Sequence, residues 1–165
     1  MTRFVLTGDL ITNVPDLDAQ HRKLFELANQ VVDPSTLDQG ADFFLKAVKF
    51  LAGYVDYHFA AEEMIMLETH FPRFELHHKW HAQFKSQVTE IAELAMTTGV
   101  SKALKLRVSF AVENWLVDHI RISDRELAEF LVHQSGMNAI VLPNAKRLKT
   151  AGLISKDFDE ALLNA

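Results

Sequence analysis

Apolar positions in this chain recur at alternating steps of three and four, in four runs separated by clusters of helix breakers. The first run is Leu17, His21, Leu24, Ala28 and Val31, and it stops at DPSTLDQGAD. The second is Phe44, Val48, Leu51, Val55, His58, Glu62 and Ile65, ending near THFPRF. Phe74, His77, His81, Phe84, Val88, Ile91 and Ala95 form the third, closed by TTGVS. The fourth is Leu104, Val108, Ala111, Trp115, His119 and Ile122, with Gly136 as a late terminator. Such spacing marks a narrow stripe on one side of an α-helix, so the pattern predicts four helices whose stripes face a common centre. Asp16 or Asp18, Asp38 or Asp42, and Ser101 are the expected N-caps. Short links between long amphipathic helices favour antiparallel neighbours. The expected fold is therefore all-α: an up-down-up-down antiparallel four-helix bundle with a C-terminal helical extension.

The stripes are not purely apolar. His21, His58, Glu62, His77, His81 and His119 all lie on them, in register with the core residues. His58/Glu62 and His77/His81 are each four apart, so both members of each pair project from one helix face. A lone histidine on such a stripe is usually a hydrogen-bonded core residue. Five imidazoles and a carboxylate converging from all four helices are different. Packed together without a cation they would be costly to desolvate, and protonating them would add mutual repulsion. A bound metal ion removes both problems, because neutral imidazole and carboxylate are its natural donors. His70, beside a Phe-Pro pair, His78, about 100° from His77 around its helix, and His133 are expected on the surface. Glu63 is expected to be a solvated neighbour of Glu62, with support of a ligand as its alternative role.

Composition narrows the chemistry. The 165 residues suit one domain with a real core, and 48% hydrophobic with 24% charged residues is ordinary globular usage. No cysteine is present, which excludes disulfides, thiolate zinc sites, iron–sulfur clusters and thiol catalysis. A net charge of -5 offers nothing to a phosphate backbone, so no nucleic-acid partner is expected. Gly8-Asp9 interrupts the N-terminal apolar run, and no stretch reaches membrane-spanning length. A cytoplasmic protein without a membrane span is the expectation.

Four short motifs carry a resemblance. DAQH at 18–21, HFAAEE at 58–63, HHKWH at 77–81 and HIRISD at 119–124 are similar to the signature of the hemerythrins, in particular the single-domain bacteriohemerythrins. The similarity covers about residues 6–131. It implies two non-haem iron ions joined by an oxo or hydroxo bridge, and reversible binding of O2. By this resemblance His77, His81 and His119 hold one iron and His21 and His58 the other, while Glu62 and Asp124 bridge them. Counting these donors against two six-coordinate irons leaves one position open, on the iron with two histidines. Leu24, Phe59, Phe84, Trp115, Leu116 and Ile120 correspond to the apolar positions around the family's dioxygen site. An oxygen-binding protein without catalytic residues is thus expected. A di-iron peroxidase, ferroxidase or nitric-oxide-handling enzyme, or an oxygen or redox sensor, is the alternative on the same scaffold.

Two expectations follow from departures and spacing. Leu6 and Leu127 stand where relatives often carry Trp and Tyr. The chain continues past the resemblance, which divides it into a bundle with an N-terminal arm at 1–131 and an extension at 132–165. That extension either covers the bundle or serves self-association or a protein partner. Finally, His119 and Asp124 are five apart, which a regular α-helix separates by about 140°. Bringing both to one metal pair predicts a local widening toward i→i+5 bonding, a break, or a helix turned to split the difference.

Overall fold

The computed structural model describes residues 4–33, 36, 39–136 and 140–163. It is the expected all-α bundle. Helices α1 (Pro15–Val32), α2 (Ala41–Glu68) and α3 (Phe74–Thr98) are regular. Helix α4 runs unbroken over 102–135, and a short α5 (Ala145–Ala151) belongs to the C-terminal extension. In the antiparallel ring α1 packs on α2, α2 on α3, α3 on α4, and α4 back on α1. No strand occurs among the described residues.

Helix starts differ partly from expectation. Ser101 caps α4, its hydroxyl accepting the Leu104 N–H at 3.1 Å. Neither Asp16 nor Asp18 caps α1, because Pro15 takes the first helical position and sets the boundary at Val14. The Asp18 carboxylate is buried instead, accepting the Thr12 N–H and hydroxyl, both at 2.8 Å, and the Asn13 N–H at 3.2 Å. That pins the turn before α1, where Asn13 has φ 63. Gly40 precedes α2 and Asp42 lies in its first turn, favourable to the helix dipole, while Asp38 lies outside the described residues.

Helix α4 is where the pattern departs from a plain α-helix. Its regular start, Lys102–Ala111, gives way to a π-helical turn at Val112–Leu116 and, after Val117–His119, to a second at Ile120–Asp124. The Val117 N–H reaches Val112 O, and the Arg125 N–H reaches Ile120 O, each five residues back. Leu104, Val108, Val112, Leu116, Ile120, Asp124 and Ala128 are all buried, at unbroken steps of four. Four residues of α-helix overshoot a full turn by about 40°, so six such steps would drift by about 240°. Each π turn absorbs one extra residue, and two of them withdraw about 200° of that drift. The stripe therefore stays on the core. The same widening turns Ile122 outward, 58% exposed, against its expected place in the core. On α2, Met66 fills the core position and Ile65 is only half-buried.

The buried apolar residues form two clusters with a polar layer between them. On α1, His21 lies between Leu17 of one and Leu24 of the other; on α2, Glu62 lies between Met66 and Phe59; on α4, Asp124 lies between Leu127 and Ile120. Full burial of such side chains contributes about 1.5–3 kcal/mol each, ample to hold an internal polar layer in place. The extension crosses this scaffold. Ile140 and Leu142 join the smaller cluster, Leu148 and Ile154 the larger, and Phe158 stacks on Tyr57 of α2 at 5.6 Å. The Leu142 N–H donates to Asp16 at 3.0 Å, and Arg147 pairs with Glu68.

Candidate metal centre

Five histidines and two carboxylates meet in the polar layer. One group is Glu62, His77, His81, His119 and Asp124, and the other is His21, His58, Glu62 and Asp124. Within each, the donor atoms lie within 4.8 Å of one another. All the ring nitrogens concerned face carboxylate oxygens. His21 Nε2 is 3.0 Å from Asp124 Oδ2, while His119 Nε2 and His77 Nε2 are 3.0 and 3.2 Å from Asp124 Oδ1. His81 Nε2 is 3.2 Å from Glu62 Oε2, and His58 Nε2 is 3.7 Å from Glu62 Oε1. The π turn is what places Asp124 here, opposite His119 of its own helix.

Proximity does not satisfy these atoms. His21 Nε2, His58 Nε2, His77 Nε2 and all four oxygens of Glu62 and Asp124 are buried without a hydrogen bond from the protein, since the approaches lack hydrogen-bond geometry. A buried polar atom left so costs about 1–3 kcal/mol, and more if charged. The charge states suit a cation instead. Burial lowers the His58 pKa to about 4 despite the Glu62 charge, so this imidazole is neutral near pH 7. Burial also lowers the pKa of His119. Glu62 and Asp124 are held well below the usual carboxylate range, because the facing histidines outweigh burial. His77 rises to about 10, burial being overcome by Asp124 and Glu62 beside it. Ionised oxygens, neutral nitrogens and one proton that a metal would displace make a fitting donor set.

Around the layer, Phe59 lies flat on His81 with ring centres 3.8 Å apart. Trp115, half-buried, stacks on His119 at 4.4 Å and on Phe84 at 4.3 Å. Leu24, Leu116 and Ile120 are fully buried in the same cluster. Of the other histidines, His70 and His133 are exposed as expected. His78 is exposed too, but its Nδ1 pairs with Glu63 at 3.0 Å. Glu63 is not a solvated neighbour: its side chain is 14% exposed, and the same oxygen lies 2.8 Å from His81 Nδ1. The sequence reading missed Gln20, whose amide oxygen lies 2.8 Å from His58 Nδ1. Its only signal is adjacency to His21. Leu127 is fully buried in the smaller cluster, and Leu6 packs against the larger.

Residues 12–131 match the hemerythrin HHE cation binding domain. The chain belongs to the hemerythrin family. It is 30% identical over 129 residues to a bacteriohemerythrin of Stenotrophomonas maltophilia (strain R551-3), covering 78% of this chain and 82% of that one. A bacteriohemerythrin of Pseudomonas aeruginosa (strain LESB58) is 28% identical over 134 residues, 81% and 84% of the two chains. One from Clostridium acetobutylicum is 25% identical over 126 residues, 74% of this chain and 97% of its own. No solved structure matches. The hemerythrin match ends where α4 is still running, so the extension lies outside it.

Proposed function

We propose that this hemerythrin binds dioxygen reversibly at two non-haem iron ions, as a carrier, store or delivery protein and not an enzyme. The observation that carries this reading is the overlap of the two donor groups: Glu62 and Asp124 belong to both. His77, His81 and His119 would hold one ion, His21 and His58 the other, and the shared carboxylates would span the pair. Bound ferrous ions supply the electrons that a dioxygen molecule takes up and gives back. The protein's part is to fix the donors and keep the surroundings dry. Leu24, Phe59, Phe84, Leu116 and Ile120 offer no titratable group, and their burial limits the delivery of protons on which bond cleavage and autoxidation depend.

Residues 1–131 form the oxygen-binding unit in this reading, and 132–165 an extension packed on it that is also the proposed contact for a partner or second copy. No described helix is long and apolar enough to cross a membrane, and the cytoplasm is the proposed compartment. Optical spectra of the anaerobically reduced protein, then in air, then after oxygen removal, test the function. Charge-transfer bands that come and go with oxygen are expected. Irreversible oxidation with turnover of peroxide would favour the enzyme reading. Substituting His77 or His81 by Ala should lose metal, whereas His70→Ala and His133→Ala should not.

A further inference from the structure

The two proposed ion positions are built with different supports. His58 of the two-histidine group donates its Nδ1–H to the neutral amide oxygen of Gln20 at 2.8 Å. His81 of the three-histidine group faces the Glu63 carboxylate at the same distance. A carboxylate oxygen can only accept, so the contact requires a proton on His81 Nδ1, and in the neutral ring that a metal needs the lone pair is then on Nε2. That lone pair lies 3.1 Å from His119 Nε2 and 3.2 Å from Glu62 Oε2, an oxygen that finds no donor. Two ring nitrogens and an oxygen without a hydrogen bond thus converge where a cation fits. The face of the same imidazole is covered by Phe59, 3.8 Å away and parallel within 3°. His81 is therefore fixed in both tautomer and plane.

Resting on the di-iron reading above, we infer that Glu63 is a positioning residue that makes the two metal positions unequal. Its carboxylate aims the His81 Nε2 lone pair and strengthens it as a donor, and the three-histidine position holds its ion more tightly than the position supported by Gln20. Hydrogen-bonded carboxylates raise the basicity of a ligating imidazole, and removing such a partner typically weakens metal affinity about 10–100-fold. A neutral amide orients without adding charge. Glu63 keeps its place through the surface residue His78, whose Nδ1 is 3.0 Å from the same oxygen.

The test is the release of iron from the full-length, iron-loaded chain to a ferrous chelator, followed as two phases. Wild type should show one slow and one fast phase. Glu63→Ala should speed the slow phase about tenfold or more and leave the fast one unchanged. Glu63→Gln should fall between them, since its amide oxygen still accepts the Nδ1–H. Gln20→Ala should speed the fast phase only. Imidazole ¹⁵N spectra of the metal-free chain give a second readout that a merely structural role would not move: the His81 proton should sit on Nδ1 in wild type and lose that preference in Glu63→Ala. Iron release from Glu63→Ala at wild-type rates, or Glu63→Gln no better than Ala, would overturn the inference while leaving the di-iron reading intact. A wild-type chain that takes up no iron overturns both.

Discussion

Helices α2 and α4 each bring a histidine and a carboxylate to the same polar layer by different means. On α2, His58 and Glu62 are four apart on a regular helix, and both fall on its buried face. On α4, His119 and Asp124 are five apart, and a π turn from Ile120 to Asp124 makes up the difference. A π turn is an α-helix with one residue more than it needs. The comparison teaches that the extra residue in α4 is local, while every residue in α2 sets the register of all that follow.

The largest expected effect comes from exploiting that contrast by deletion. Removing Ala60 from α2 would rotate Glu62 and Met66 by about 100° relative to Phe59 and abolish cooperative unfolding. Removing Ile122, exposed on the π turn, should instead leave a regular helix with the flanks still in register, at a loss of about 1–2 kcal/mol. Circular dichroism and urea unfolding of the two chains separate these outcomes; equal damage would show that α4 carries no spare residue. Leu116→Ala sharpens the point at the other π turn. The side chain is fully buried there, so truncation should cost about 2–5 kcal/mol and, by admitting water and anions, speed autoxidation and azide binding. An unchanged autoxidation rate would place the gate elsewhere.

The polar layer should also give the metal-free chain a stability maximum near neutral pH. His58 is neutral when folded down to about pH 4 but takes up a proton in the unfolded chain below about 6.5. Stability from that group is present above 6.5 and falls by about 3 kcal/mol as pH drops to 4. His77 acts in the opposite direction. Its pKa is raised to about 10, so its contribution is complete below 6.5 and is lost as pH climbs through 10. Urea unfolding across pH 4–10 should show losses on both sides, and a monotonic profile would contradict these environments. The smallest effect belongs to Ser101→Ala, which removes the α4 cap and should cost about 1 kcal/mol in the same assay.

What the sequence disclosed follows the same contrast. The convergence of His58, Glu62, His77 and His81 was legible because steps of four on a regular helix keep side chains on one face. Asp124 was not, since five residues from His119 it falls off any α-helical stripe. Its place came from the resemblance, and the widening from the geometric conflict. Ile122 was misplaced for the same reason. A signal for the first π turn was present: Leu104, Val108, Val112, Leu116 and Ile120 repeat at strict fours, which a pure α-helix cannot keep on one side. Gln20 and Glu63 lie beside the stripes, and each meets a histidine on another helix. Periodicity within one helix does not reveal such contacts. Nor could it show that Phe158 would cover Tyr57, which depends on how much of α2 the bundle leaves open.

The central claim is that Glu62 and Asp124 are shared between two metal positions. Elemental analysis of protein purified from iron-replete cells tests it most directly, read beside Asp124→Ala. Wild type is expected to carry about two irons per chain, and Asp124→Ala, which removes a donor from both groups, to lose both. One zinc per chain with little iron, or an Asp124→Ala chain that still holds two irons, would contradict it.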